Sequence, residues 1–436
     1  QGLADKISSW FVPIVIGIAI LTFVIWMFVF GATWSFALMA FTAVIVIACP
    51  CALGLATPTA LMVGTGKGAE NGILIKGGEP LEKARAVDTI VFDKTGTLTK
   101  GKPEVTDIVA LGDKDKDEIG VIAASLERQS EHPLAEAIYG YAHMKGLELK
   151  KIENFKAVAG HGVSGLIDGT QYHFGNRKMM AEIVGISVEK INQQMSLLEE
   201  LGKTVMILSD EKEVVGLVAV ADTIKETTKA AIKKLKKMKI EVFMLTGDNA
   251  RTAKAIAAQA GITNVLAEVL PQDKANEIKT LQESGKIVAM VGDGINDAPA
   301  LAQADLGIAM GSGTDVAMET GGIVIMKNDL RDVATAIQLS RETMGKIKQN
   351  LFFALFYNVI GIPIATRALV GLGLVLRPEL AGLAMALSSV SVVSNSLLLK
   401  GFRPNQRNWP STVAPVVMAI IFTSAFVIFA RLSRGM

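Results

Sequence analysis

The stretch Thr89-Ile-Val-Phe-Asp93-Lys94-Thr95-Gly-Thr-Leu-Thr99 joins an apolar, β-branched run to an acid followed by small and hydroxyl-bearing residues. Such a run reads as a strand that delivers a carboxylate to a loop, and in an open α/β sheet the chemistry lies outside the carboxyl ends of the strands. Asp93 there can serve as nucleophile toward a phosphoryl group, as a ligand for Mg²⁺, or as a helix cap. Two more apolar runs end in the same way. Glu241–Leu245 leads into Thr246-Gly247-Asp248, and Ile287–Val291 leads into Gly292-Asp293-Gly-Ile-Asn296-Asp297. Lys274, in Pro271-Gln-Asp-Lys, is a cation available to the same chemistry or an ordinary surface lysine, and Asp248 is open to a helix-capping role. A separate set is soft: Cys49-Pro50-Cys51 holds both cysteines of the chain, so no disulfide framework is expected and the two thiols are free to bind something.

Elements to position these residues follow from composition and periodicity. The 436 residues are 50% hydrophobic with a formal net charge of +2, and a mean hydropathy of +0.40 places part of the chain in lipid. That charge leaves no basic surface to suggest nucleic acid. Phe11–Phe30 is an uncharged run of spanning length; Trp34 to about Val63 is longer and carries Cys-Pro-Cys and Thr57-Pro58, so its helix must be broken. Trp10, Trp26 and Trp34 lie near span ends, as interfacial anchors do. Further apolar runs cover Leu351 to about Gly373, Leu380–Leu399 and Val413–Ala430, making five. Between the second and third lies a polar block, Gly64–Asn350, which opens on a glycine-rich connector, Gly64–Gly72. Strand-like runs at Leu306–Met310 and Ile323–Met326 and amphipathic runs at Ile224–Met238 and Ala250–Ala260 complete an alternation that predicts a doubly wound parallel sheet. The lysine run at 233–239 reads as one solvated helix face. From about Val105 to Val214 the alternation stops, which predicts an inserted domain with a return to the sheet at Gly216.

The string Asp-Lys-Thr-Gly-Thr resembles the phosphorylation signature of P-type ATPases in the haloacid-dehalogenase superfamily. Ser130-Glu131-His132-Pro133 and Gly160-His161-Gly162-Val-Ser-Gly165, in this order after it, resemble the nucleotide-binding domain of the heavy-metal branch. The resemblance implies that Asp93 accepts the γ-phosphoryl group of ATP, beside Lys94. It implies that Asp293, the Asp93 carboxylate and the Thr95 main chain hold Mg²⁺, that Thr246, Gly247 and Lys274 grip phosphoryl oxygens, and that Asn296 and Asp297 complete the site. It further implies that His132 packs on adenine, Glu127 bonds its amino group, and Gly160 and Gly162 let backbone approach the nucleotide. Cys49, Cys51, Tyr357, Asn358, Met385 and Ser389 match the copper(I)-transporting branch as ligands or neighbours of the ion, and soft donors do suit Cu(I).

The expected architecture is a multi-domain helical membrane protein with a cytosolic α/β phosphorylation domain and an inserted α+β nucleotide-binding domain. Its parts are two spans over 1–63, a connector and first phosphorylation segment over 64–104, the nucleotide-binding insert over 105–214, the second phosphorylation segment over 215–335, two spans over 336–400, and an extra apolar segment over 401–436. The implied activity is ATP-driven Cu(I) export across a cell membrane, with a copper chaperone as a candidate partner. Ag(I) or Zn²⁺/Cd²⁺ pumping, a membrane-anchored phosphatase and a metal-binding partner of a full-length pump are the alternatives. No Thr-Gly-Glu tripeptide of an actuator domain occurs in these residues, so the expected unit is the catalytic and metal-coordinating portion, which phosphorylates itself without turning over. Placing the ATP-using block in the cytosol puts Lys400, Arg403 and Arg407 inside and Arg431 and Arg434 outside, the latter against the positive-inside rule. Arg367 is expected to snorkel to the interface or to pair with Glu379.

Overall fold

The computed structural model describes residues 2–435 apart from 131–133, 159–160, 249, 405 and 407. It divides into two units, Gln1–Ala86 with Thr335–Met436, and Val87–Ala334.

In the first unit the opening helix, Gly2–Val24, continues as a π-helical turn, Ile25–Val29. The second apolar run is broken as its prolines require, into Trp34–Ile47 and Cys51–Glu70, with Pro50 at the N-cap of the second piece. The Pro50 carbonyl accepts from the amides of both Leu53 and Gly54, so the break is closed by protein groups. Helix Arg331–Ala365 and the returning helix Pro378–Leu397 follow, and the latter packs against both pieces of the broken helix. Among the described residues, four stretches are long and apolar enough to cross a membrane: Ser9–Val29, Trp34–Glu70, Arg331–Ala365 and Pro378–Gly401. The fifth expected run forms the helix Trp409–Gly435, whose apolar part, Trp409–Ala425, is shorter. Phe422 on that helix meets Tyr357 edge to face at 5.7 Å between centroids.

The glycine-rich 64–72 segment is not a connector. Most of it continues helix Cys51–Glu70, and Gly64 and Gly68, four residues apart, form a close-packing face. A Cβ on Gly64 would stand 2.5 Å from Thr343 Oγ1, and one on Gly68 would stand 2.8 Å from the Ile73 carbonyl oxygen. Small residues in helical register are what let backbones approach in an apolar bundle.

The second unit holds a parallel sheet whose strands are ordered Ile323–Ile325, Leu306–Met310, Val288–Gly292, Thr89–Asp93, Glu241–Leu245 and Asn264–Leu266. Thr89–Asp93 is buried throughout, consistent with its uninterrupted apolar character. Phe92 pairs with Val291 on one side and Met244 on the other, so three neighbouring strands end together at Asp93, Thr246 and Asp293. Helices Thr228–Lys237 and Ala250–Ala260 lie where periodicity predicts them, with Lys233, Lys236 and Lys237 exposed.

A second, antiparallel sheet takes the order Thr99–Ala110, Val214–Ile224, Thr204–Ser209, Thr170–Gly175, Gly162–Ile167 and Glu153–Val158. Its core joins helices Lys116–Glu127 and Ala135–Met144 to the strands through Ile119, Leu126, Ile138, Phe174 and Leu208. Each such fully buried side chain contributes roughly 1.5–3 kcal/mol. Gly216 belongs to this sheet, opposite Ala110, rather than to the parallel one. The two long strands that leave and re-enter the parallel domain pair with each other from Thr99/Ile224 to Ala110/Gly216, because chain ends of an insert must come together at its root.

Gly64→Ala should lower stability by about 1–3 kcal/mol through overpacking against Thr343. Thermal unfolding in detergent of Gly64→Ala, Thr343→Ala and the double variant should show partial recovery in the double; strict additivity would remove the contact as the cause.

Candidate functional site

Asp93 ends its strand at 5% exposure. The loop after it turns through Gly96, whose φ of +74° and missing Cβ are both used: a Cβ there would fall 2.0 Å from Asp293 Oδ2. Lys274, at the start of helix Lys274–Glu283, reaches Asp93 Oδ1 and Asp297 Oδ1 at 2.7 Å each. The other Asp297 oxygen accepts from the amides of Asp293 and Gly294, at 3.2 and 3.0 Å. Lys94 turns away from Asp93 to pair with Asp248 at 2.9 Å. The Asp248 amide donates to Thr246 Oγ1 at 3.1 Å. Thr246 is buried, Gly247 is exposed, and Asn296 is exposed on the turn Ile295–Asp297.

Carboxylate oxygens of Asp93, Asp293 and Asp297 lie within 4.8 Å of one another. Burial, then Asp297, push Asp93 up to about 7, against the opposing pull of Lys274. Burial and Asp297 likewise raise Asp293. Burial opposes the charge of Lys274, but Asp93 and Asp297 outweigh it and hold its pKa up. Two buried acids bridged by a lysine and the half-buried Asp293 beside them form a hard-oxygen set with charge to spare, which fits a divalent cation such as Mg²⁺.

Two residues that sequence reasoning missed hold this loop. Asp222 accepts from the Thr99 hydroxyl at 2.6 Å and the Gly101 amide at 2.9 Å. Lys225 donates to the Gly96 carbonyl at 2.5 Å and to Asn328 at 2.7 Å. The signal was available, since Asp222 and Lys225 stand at the end of an apolar strand, as Asp93 does.

In the insert, Glu127 is buried at the end of its helix; His132 and Gly160 lie outside the described residues. Gly162 has an internal reason to be glycine: with φ +154°, its Cβ would meet the Phe174 carbonyl oxygen at 2.2 Å. The close approach it permits is that of the neighbouring strand.

Among the apolar helices, Cys49, Tyr357 and Met385 pack in one cluster. The structure joins Cys49 to Cys51 as a disulfide, with Cα atoms 5.4 Å apart, where the sequence predicts free thiols. The break at Pro50 brings the two Cβ atoms to one side, and only the reduced pair offers thiolates to a metal. The Tyr357 hydroxyl lies 3.3 Å from Ser391 Oγ. Ser389 bonds back to the Met385 carbonyl at 3.4 Å, a common habit of helical serines. By contrast, Asn358 Oδ1 and Ser388 Oγ are buried without a hydrogen-bond partner among the described residues.

Gly96→Ala should displace the Asp293 carboxylate and weaken divalent-cation binding by at least about tenfold. Electron paramagnetic resonance titration with Mn²⁺ checks this, and unchanged affinity would show that Gly96 is required only by the turn.

A family model of haloacid dehalogenase-like hydrolases matches residues 87–305. The probable copper-transporting ATPase PacS of Synechococcus elongatus is 52% identical over 406 residues, covering 93% of this chain and 54% of its own length. The probable copper-exporting P-type ATPase of Archaeoglobus fulgidus is 51% identical over 438 residues, covering 100% of this chain and 54% of its own. The copper-exporting P-type ATPase of Bacillus subtilis is 54% identical over 402 residues, covering 92% and 49%. The chain thus spans about half the length of these relatives. A crystal structure of a zinc-transporting PIB-type ATPase in the E2.Pi state superposes with a TM-score of 0.82 at 35% identity, covering 91% of this chain and 63% of that one. With the acid-ended parallel strands and the family match over half its length, the chain belongs to the haloacid dehalogenase-like hydrolases and is a homologue of the copper-exporting P-type ATPases.

Proposed function

We propose that this chain carries the catalytic and metal-coordinating parts of an ATP-driven exporter of Cu(I). The observation that carries the catalytic half is the Lys274 bridge between Asp93 and Asp297 at the closed end of the parallel sheet. The Asp93 carboxylate attacks the γ-phosphorus of ATP, the bond to the bridging oxygen breaks, and ADP departs, leaving an acyl phosphate on Asp93. Lys274 neutralises charge on Asp93 before attack and on the phosphoryl oxygens after it, without moving from a site already built for it. Thr246 and the Gly247 amide are placed to hold the remaining oxygens, and Asp297 keeps Lys274 aimed. Mg²⁺, held by Asp93, Asp293 and the Thr95 main chain, supplies positive charge against the triphosphate. Asp222 and Lys225 fix the loop so that Asp93 and Asp293 meet across Gly96. The insert, through Glu127, His132, Gly160 and Gly162, takes the nucleotide.

Copper is the cargo. Cys49, Cys51 and Met385 are its soft donors, with Tyr357, Asn358, Ser388 and Ser389 lining the same interior, and a soluble Cu(I) chaperone is its donor on the cytosolic side. The bundle lies in the plasma membrane with the catalytic unit in the cytosol. Zn²⁺ pumping is the second reading, favoured by the superposition on a zinc transporter. Helix Pro378–Leu397 has no charged residue beyond Glu379 in its first turn, and this argues for the softer ion. A phosphatase reading is disfavoured because Lys94 and Thr95 occupy the positions just after the nucleophile where a second acid is needed.

Incubation with γ-labelled ATP and Mg²⁺ should give an acid-stable, hydroxylamine-sensitive label that Asp93→Asn abolishes. Lys274→Met should reduce it by at least about a hundredfold. Label surviving in Asp93→Asn means that another residue is the nucleophile. X-ray absorption of the reduced chain with Cu(I) should show sulfur in the first shell, lost in Cys49→Ser/Cys51→Ser; a shell of nitrogen and oxygen alone would refute the copper site.

A further inference from the structure

The loop 366–377 joins helix Arg331–Ala365 to helix Pro378–Leu397 and carries two arginines, Arg367 and Arg377. The expectations of snorkelling or a pair with Glu379 both fail at Arg367. Its side chain is buried at 5% exposure, with the guanidinium carbon 3.8 Å from the ring centroid of Phe36. Its Nε is buried without a hydrogen-bond partner among the described residues. Neither arginine has a carboxylate in ion-pair contact among the described residues, and Glu379 is exposed. Burial, and then the neighbouring Arg377 guanidinium, disfavour the charge of Arg367. The loop is nevertheless held in place: Arg367 takes a φ of +61°, unusual outside glycine, and the Trp26 indole donates to the Thr366 carbonyl at 2.8 Å.

A buried guanidinium without a carboxylate partner among the described residues, with a second arginine on the same loop, is an incomplete arrangement, because a desolvated charge is tolerated when it is paired. Arg377 is also the N-cap of helix Pro378–Leu397 and makes no side-chain capping bond there, so the positive helix end adds to the same field. The missing component is therefore an anion, with oxygens able to take a planar donor fork. Its source follows from position. The loop connects two helices of membrane-spanning length, which sets it at headgroup depth, where phosphodiesters are abundant.

We propose that Arg367 and Arg377, with the N-terminal end of helix Pro378–Leu397, bind the phosphate of a phospholipid headgroup. The lipid is then a bound component that closes the turn between the two helices bearing Tyr357, Asn358 and Met385.

The test uses the full chain in mixed phosphatidylcholine and phosphatidylglycerol nanodiscs, with retained lipid counted by native mass spectrometry after transfer to detergent. The unsubstituted chain should retain phospholipid, and retention should fall about tenfold in Arg367→Gln/Arg377→Gln. Arg377→Gln alone and Arg367→Lys, which keeps the charge and loses the fork, should fall by lesser amounts. Inorganic phosphate at millimolar concentration should not displace the lipid. Equal retention in the unsubstituted chain and in Arg377→Gln and Arg367→Lys overturns the proposal even if the double variant does not fold. Phosphate binding with no lipid retained makes the ligand a soluble anion and overturns the lipid assignment.

Discussion

Everything in the catalytic unit depends on keeping several negative charges together at the dry end of a sheet. Asp93, Asp293 and Asp297 repel one another, and burial favours the neutral forms of Asp93 and Asp293; Lys274, bonded to Asp93 and Asp297, opposes this without cancelling it. Such a cluster is costly by itself and becomes favourable when cations occupy it, so the fold has built a receptor for positive charge at the carboxyl end of the sheet. The three-strand register sets the spacing, since Asp93, Thr246 and Asp293 follow strands whose pairing is fixed by the fully buried Val91, Phe92, Met244 and Val291. A slip of one residue would turn Asp93 into the core.

The strands at 89–93, 241–245 and 306–310 were legible because buried parallel strands show as short, unbroken apolar runs closed by polar residues. The break at Cys-Pro-Cys was legible because proline removes a donor wherever it falls. The glycine-rich stretch after Val63 was misread because glycine marks both turns and close helix packing, and only the Thr343 side chain opposite Gly64 tells them apart. Gly162 shows the same ambiguity: its nucleotide-facing appearance in the sequence coexists with a strand packed against its absent Cβ. Long-range partners such as Asp222 and Lys225 escaped for another reason. Their bonds to Thr99, Gly101 and Gly96 cross more than a hundred residues of insert, which local pattern cannot record.

The apolar unit uses polar contacts in a different way. Lys346, fully buried, donates at 2.8 Å to Asn395 and to the Ser411 carbonyl; Asn350 donates to the Ala56 carbonyl and to Ser396, which also lies 3.1 Å from Thr59. Helices that have no hydrophobic drive to associate in lipid are thereby joined through donors and acceptors that can be satisfied only by one another. The link to Ser411 also gives the last apolar helix a fixed start, and Phe422 against Tyr357, eleven residues further along both helices, keeps the same register.

Under the proposed function, the carboxylate cluster and the cysteine-bearing helix break are opposites in donor chemistry, and that difference would carry a division of labour. Hard carboxylate oxygens with a lysine among them select a strongly hydrated divalent ion that acts on phosphate, and they hold thiophilic metals poorly. The thiolates of a reduced Cys49 and Cys51 with a thioether in an apolar interior would do the reverse: they disfavour Mg²⁺, which gives up its water reluctantly, and suit a soft monovalent ion. Neither set needs a selective gate to keep the other's ion out. Under the proposed function, joining them on one chain would let phosphoryl transfer at Asp93 be linked to metal at a reduced Cys49 and Cys51 without the two cations competing for a ligand.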